Sequence, residues 1–418
     1  MSQSAEEKEL EYFRNTLRSY DDYARYHLSV NQIRRMNFLT LPKAQREVLV
    51  ELGYRDKLDA VDEGIRRNGE FLDEIYQSGA EPFMGHLPSH EHTDGHSHSH
   101  GHSHAHSHHA QTYAPTKSQC ARLPPFPSQS KQAHPPAANA PPPPKDQAQR
   151  DGLQDKVRST IRQFVRDWSS EGKHERDTCY TPCLEALERH YAHISPEDRR
   201  GVKVLIPGAG LGRLALEVAG EGFASQGNEF SAHMLIASNW VLNSFSNHLT
   251  TSSHLLKSIS IPDVLPSEIL PANADFSFVA GDFEEIYGGR SESGAWPPGD
   301  LISPDQQGQW GAVITCFFID TARNILNYLR IIKGLLRDDG VWINVGPLLW
   351  HFENIADRER GEGSVELSLD EVKALARKMG FELANETMSK TTYTGDPENM
   401  LKSEYTVAFW TATKRKST

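Results

Sequence analysis

Cysteine is scarce. Four residues, Cys120, Cys179, Cys183 and Cys316, stand in a chain of 418, too few to staple a fold of this size with disulfides. Positive charge is also in deficit, with 44 Lys and Arg against 56 Asp and Glu and a net charge of −12. Sequence-independent binding to nucleic acid draws its energy from basic side chains on phosphates, so that class is not expected. No apolar run approaches the ~20 residues a membrane span needs, and the opening MSQSAEEKEL has no signal-peptide core. The reading is a soluble protein of a reducing compartment, cytoplasmic with the nucleus left open. The tail Lys414-Arg415-Lys416 is too short to be assigned as a nuclear signal. Apolar residues are sparse as well, at 37%, so part of the length is not expected to pack.

Composition divides the chain into three. Residues 1–85 read as helices, with Leu10, Phe13, Leu17 and Tyr20, and then Leu58, Val61, Ile65, Leu72 and Ile75, recurring at helical spacing. Pro42, after a break at Thr40-Leu41, suits the first turn of a new helix. Residues 86–150 hold eleven His between His86 and His109 and then a Pro-rich tract ending in Pro141-Pro142-Pro143-Pro144. Such a stretch cannot offset its ordering entropy and reads as a disordered linker. Its imidazoles could take up Zn²⁺ or Ni²⁺, but without structural-zinc spacing no metal site is assigned. From residue 151 to 418, strand-like and helix-like runs alternate. They predict a doubly wound, mostly parallel α/β sheet, closed by an antiparallel hairpin around Thr394-Gly395-Asp396-Pro397.

The most informative segment is Val204-Leu205-Ile206-Pro207-Gly208-Ala209-Gly210-Leu211-Gly212-Arg213. An apolar strand enters alternate glycines and then a helix, which permits a tight turn and brings a ligand close to backbone at a helix N-terminus. The dinucleotide fingerprint needs G-x-G-x-x-G with a small third residue, where this chain has Arg213; no Lys-Ser/Thr follows, so a P-loop is excluded. The G-x-G-x-G spacing resembles the S-adenosylmethionine loop of class I methyltransferases, although Ile206 sits where that superfamily usually has an acid. An acid at the end of the second strand should meet ribose hydroxyls, and Glu229 lies at the required distance along the chain. After the third strand, Asp282 could accept from an adenine amine while Phe283 packs on the base. A solvated carboxylate and a turn aspartate are the plain alternatives. Asp320, at the end of the fourth strand, should point into the crevice outside the strand ends. Cys316, inside an apolar strand with no basic neighbour, lines the pocket wall rather than acting as a nucleophile. Cys179 and Cys183 have no second pair and read as structural.

Taken together, Gln163-Phe164-Val165-Arg166-Asp167-Trp168-Ser169, the glycine loop, Gln226-Gly227-Asn228-Glu229, Ala280-Gly281-Asp282-Phe283, Thr315-Cys316-Phe317-Phe318-Ile319-Asp320-Thr321-Ala322 and Gly346-Pro347-Leu348-Leu349-Trp350-His351-Phe352-Glu353-Asn354 resemble the carnosine N-methyltransferase family. The resemblance spans the catalytic part, residues 153–410, and is weaker in the N-terminal helices; the His- and Pro-rich insert has no counterpart. It implies methyl transfer from S-adenosylmethionine to an imidazole nitrogen of carnosine, giving anserine, or of a related histidine-containing peptide. By motif it places Gln163, Arg166, Gly208, Gly210, Glu229, Asp282, Phe283 and Cys316 at the cofactor, with Arg166 gripping the methionine carboxylate bidentately. It places Asp320, His351 and one of Tyr405 or Tyr393 at the substrate, with Asp320 and His351 as the catalytic pair. It implies a homodimer acting on a small peptide, without nucleic acid, membrane or metal. Two other readings stay open: a different imidazole acceptor such as a protein histidine, and a non-catalytic, metal-handling scaffold.

Overall fold

The computed structural model describes residues 5–84, 145–243, 249–254, 257–288, 302–353 and 363–415. Four helices come first: α1 (Ala5–Asp21), α2 (Tyr23–Leu39), α3 (Lys43–Glu51) and α4 (Tyr54–Met84). Their stripes are buried at Leu17 and Tyr20 and at Leu58, Val61, Ile65, Leu72 and Ile75. Pro42 holds the N-cap of α3, where its missing N–H costs nothing. The next helix, α5 (Lys145–Trp168), begins earlier than composition predicts. Residues 145–150, polar enough to read as linker, form its first turns. They are held by Arg150 on Asp22 at 2.6 Å and, just beyond, Tyr26 donating to Asp151 at 2.7 Å. The His- and Pro-rich tracts and Cys120 lie outside the described residues.

After α6 (Lys173–His190) the chain lays down β1 (Lys203–Pro207), α7 (Arg213–Gly220), β2 (Ala224–Glu229) and α8 (Ala232–Asn243). A two-stranded ribbon follows, β3 (Leu249–His254) with β4 (Lys257–Ile261), then α9 (Pro266–Ile269), β5 (Phe276–Ala280) and α10 (Phe283–Gly288). The remainder is β6 (Trp310–Cys316), α11 (Ile325–Leu335), β7 (Leu336–Gly346), α12 (Leu369–Lys378), β8 (Phe381–Thr391) and β9 (Tyr405–Lys414). The seven-stranded sheet runs β5-β2-β1-β6-β7-β9-β8, with β9 antiparallel to both its neighbours. The predicted fold class is therefore observed, closing hairpin included.

Alternation along β1 shows how the sheet is covered. Val204 and Ile206 face a core shared with α6 and α7, while Leu205 faces the opposite core of α10, α11 and α12. A third core joins α1 and α4 to α5 and α8. At its centre Phe71, Phe164 and Trp240 meet edge to face, with centroids 5.0, 5.3 and 5.6 Å apart. The N-terminal helices are thus part of the body that carries the sheet. The strand order reverses between β1 and β6, so the crevice opens at their carboxyl ends.

Candidate active site

The three glycines of the β1–α7 loop all have positive φ: 66° at Gly208, 57° at Gly210 and 82° at Gly212. Their reasons differ. A Cβ on Gly208 would stand 2.6 Å from the Phe318 ring, and one on Gly212 would press Leu242 and Phe278 at 3.1 and 3.2 Å. Those two glycines serve the protein's own packing. At Gly210 the nearest atoms would be Gln163 Nε2 at 3.8 Å and Asp167 Oδ2 at 3.9 Å. There the missing side chain leaves room between loop and α5.

Helix α5 is docked on this loop by Trp168, whose indole donates to the Leu211 carbonyl at 3.2 Å. Arg213, the residue that excluded a dinucleotide fold, lies over the Trp168 ring at 5.0 Å. It donates to the Asp167 carbonyl at 3.1 Å and pairs with Asp263 at 2.8 Å and Glu217 at 2.7 Å. Arg176 closes the C-terminus of α5, donating to the carbonyls of Arg166 at 2.6 Å and Ser169 at 2.8 Å.

Between loop and α5 lies a buried polar cluster. Asp167 accepts from Gln163 at 2.8 Å, Arg166 at 2.7 Å and Tyr180 at 2.8 Å. Arg166 is 4% exposed. Its Nη1 also donates to Tyr180 at 2.8 Å, and its Nε faces Glu175 at 3.5 Å. Nη1 is thereby engaged inside the cluster, whereas Nε makes no hydrogen bond within the protein. Arg166 offers charge and one edge. Cys316 lines this cluster: burial pushes its thiol up, with the Cys179 thiol adding and Arg166 opposing. Asp167 and Tyr180 were not assigned from sequence, although Asp167 sits inside the quoted motif.

Glu229 is 9% exposed and lies against the loop. One oxygen accepts from the Gly210 N–H at 2.8 Å, the other from the N–H groups of Phe230 and Ser231, both at 2.8 Å. Burial raises its pKa and these three bonds oppose the rise. They occupy most of the ~4 acceptor positions of a carboxylate, leaving one edge for a ligand hydroxyl. Asn228 ties the neighbouring turn, donating to the carbonyls of Val279 at 3.2 Å and Gly281 at 2.9 Å. There Asp282 Oδ1 accepts from the N–H groups of Glu284 at 2.8 Å and Glu285 at 3.2 Å, so this aspartate caps α10. Phe283 follows as the first residue of α10. It is 3% exposed and lodged among Phe318, Tyr328 and Tyr287.

Across the crevice, β6 ends at Cys316, earlier than the apolar run suggests, because Phe317 turns to a φ of 53°. The chain then forms a short 3-10 turn, Ile319–Thr321, that buries Asp320 to 2% exposure. Asp320 Oδ2 accepts from the Leu349 N–H at 2.9 Å, and its carbonyl accepts from the His351 N–H at 3.1 Å. Trp350, between those two, also has positive φ, 46°. Burial holds the Asp320 carboxyl above the usual carboxylate range, with His351 opposing; burial lowers His351, with Asp320 opposing. The two tyrosines left open by sequence separate. Tyr405 packs edge-on to Phe317 at 6.1 Å, and Asp320 is among the charges that raise its pKa. Tyr393 belongs to the other end, donating to Gln163 Oε1 at 3.0 Å with its ring 4.7 Å from the Arg166 guanidinium. Among the described residues no group of three His, Cys, Asp or Glu could hold a metal ion.

Residues 144–416 match the profile of the family described as Carnosine N-methyltransferase. A Schizosaccharomyces pombe protein named Carnosine N-methyltransferase is 40% identical over 285 residues, 63% of this chain and 72% of that one. A Mus musculus protein of the same name is 43% identical over 270 residues, 60% of this chain and 61% of that one. In Dictyostelium discoideum the figures are 38% over 283 residues, with 56% of the relative covered. The match thus spans under two thirds of the mouse and Dictyostelium proteins. A Haemonchus contortus phosphoethanolamine N-methyltransferase, solved with S-adenosyl-L-methionine, aligns with 65% of this chain at 14% identity and a TM-score of 0.36, too distant to inform the site.

Proposed function

The chain belongs to the carnosine N-methyltransferase family, and from that membership together with the crevice we infer that it methylates an imidazole nitrogen of carnosine. The observation that carries the reading is the buried Asp320, held at a strand end by the Leu349 N–H and set beside His351.

The residues present fit S-adenosylmethionine. The space in front of Gly210, the Glu229 carboxylate on the loop and the Arg166 cation behind Tyr393 match a ribose bearing a zwitterionic tail. When bound, the sulfonium supplies an already activated methyl. The protein's own work is alignment and exclusion of water. Imidazole has a pKa near 6.5, so at neutral pH most of the acceptor is the neutral nucleophile. Asp320 accepts the N–H opposite the attacking nitrogen, which selects the tautomer. It then stabilises the positive charge that grows on the ring, and a carboxylate in so dry a site does this strongly. His351 adjoins this carboxylate and the acceptor; Tyr405 lines the acceptor side and Tyr393 the carboxylate end of the cofactor. Asp282 turns an oxygen to the adenine amine, while Phe283 supports that wall from behind.

The deciding experiment is methyl transfer from isotope-labelled S-adenosylmethionine to carnosine, free histidine and a protein extract, with the product located by mass spectrometry. Label on carnosine, at a ring nitrogen, is expected. Label on extract protein alone would favour a protein histidine, and no label anywhere would favour a non-catalytic scaffold. We further place the protein in the cytoplasm and nucleus as a homodimer, readable by cell fractionation and sedimentation. Exposed apolar side chains available to such a contact stand at Ile33 and Met36 of α2, Val48 of α3 and Leu52 just beyond it.

A further inference from the structure

Glu175 lies in the first turn of α6 and is 1% exposed. A carboxylate so deeply buried must be paired or it destabilises the fold by several kcal/mol. Its partners come from the loop between β8 and β9. The N–H groups of Thr394 and Gly395 donate to its two oxygens, each at 2.9 Å, and the Thr392 hydroxyl donates as well. Thr394 takes a φ of 51°, so consecutive N–H groups curl around the carboxylate as an anion nest. The same carboxylate faces Arg166 Nε at 3.5 Å. Tyr393, at the centre of the nested segment, lies on the Arg166 guanidinium and reaches Gln163.

Two further ties of this loop are weak. Lys390 meets Glu404 at 2.7 Å with side chains 69% and 56% exposed, and Lys257 of the ribbon meets Glu398 at 3.5 Å at 46% and 67%. Exposed ion pairs contribute ~0–1 kcal/mol. The buried nest therefore fixes the backbone that carries Tyr393, whose ring also packs on Phe317 at 4.8 Å.

We propose that Glu175 is a positioning residue for the cofactor: it latches residues 392–395 so that Tyr393 roofs Arg166 and closes the carboxylate end of the S-adenosylmethionine pocket. This rests on the cofactor reading above but not on carnosine being the acceptor. The latch acts only on the amino-acid tail of the ligand. It is silent at the adenosine end, where Glu229 and the glycine loop bind.

Binding of two probes tests it by calorimetry. S-adenosylhomocysteine carries the tail, and 5′-methylthioadenosine lacks it. In Glu175→Gln the amide still fills the nest but loses charge, and affinity for S-adenosylhomocysteine should fall about tenfold while that for methylthioadenosine stays within about twofold. Thr392→Val, which leaves the buried charge in place, should weaken S-adenosylhomocysteine alone by about threefold. Hydrogen exchange at the Thr394 and Gly395 amides should accelerate in both variants. Equal losses for the two probes, or no loss for either, would overturn the latch. A parent protein that binds neither probe would overturn both the latch and the cofactor reading. A parent that binds both but does not methylate carnosine would overturn only the acceptor assignment.

Discussion

Both halves of the crevice hang on carboxyl ends of parallel strands, yet they are built from different material. The cofactor half is mostly backbone: Gly208, Gly210 and Gly212 in the left-handed region, and Glu229 fastened by three N–H groups. The acceptor half is mostly side chain, with Asp320 after β6, His351 after β7 and Tyr405 opening the antiparallel β9. Its two turns are made by Phe317 and Trp350 at positive φ, where non-glycine residues are strained by ~1–3 kcal/mol. A ligand common to many enzymes can be met by generic main-chain geometry. An acceptor that must be distinguished from its relatives requires particular side chains, held where the fold over-determines them.

The contrast can be broken most severely on the backbone side. Gly210→Arg would fill the space facing Gln163 and Asp167 from a backbone with φ of 57°. Binding of S-adenosylhomocysteine should fall below calorimetric detection, and retained affinity would move the loop out of the site. On the side-chain side, Asp320→Asn keeps an acceptor for the Leu349 N–H but removes the charge. Single-turnover methylation of carnosine should drop ~10²–10³-fold with cofactor affinity unchanged. If affinity were lost instead, Asp320 would belong to the cofactor half.

Smaller effects test the scaffold beneath both halves. His233 of α8 is 1% exposed and meets Ser19 Oγ at 3.3 Å, and burial lowers its pKa from 6.5 to about 3. A depressed imidazole stabilises the fold above the unfolded pKa. As pH falls from 6.5 towards 3, the unfolded chain takes up a proton that the folded chain refuses. Urea unfolding should show stability falling by ~1.4 kcal/mol per pH unit from this group, and His233→Gln should flatten the slope. A variant with the parent's pH dependence would assign the loss to other groups.

The smallest effect is expected from the insert. Asn68 reaches Tyr23 near the corner where α5 begins, so α4 runs on for 16 residues to Met84, on the order of 24 Å at 1.5 Å per residue. Replacing residues 86–144 with about 20 Gly/Ser residues, whose mean span is ~25 Å, should leave turnover within about twofold. A collapse of turnover without unfolding would join the insert to the site.

What could be read from sequence follows the same division. The glycine loop and Glu229 are legible because the turn, the helix start and the strand-end acid are local and fixed by spacing. Glu175 was missed because it looks like any charged residue in the first turn of a polar helix, and its partners Thr394 and Gly395 meet it only through the fold. Phe283 is legible as the residue after that turn, but its packing on Phe318, Tyr328 and Tyr287 is not, since alternation locates a strand end without saying which rings meet there. The β3–β4 ribbon escaped because Thr250, Thr251, Ser252 and Ser253 carry no apolar alternation. Residues 145–150 were given to the linker because their helix is held by long-range pairs such as Arg150 with Asp22.

The edge-to-face triad of Phe71, Phe164 and Trp240 has a consequence for how the molecule could be supplied. It joins a helix from before the insert to two from after it, with Leu72 and Ile75 fully buried in the same core. The bond between the two parts is therefore a packed interface, to which the peptide connection across residues 85–144 adds effective concentration. Expressed as separate polypeptides, 1–85 and 144–418 should find each other and reconstitute a working enzyme. A protease that nicks the insert would then leave a heterodimer in which the smaller fragment behaves as a subunit, and the activity of the nicked species would depend on its dilution.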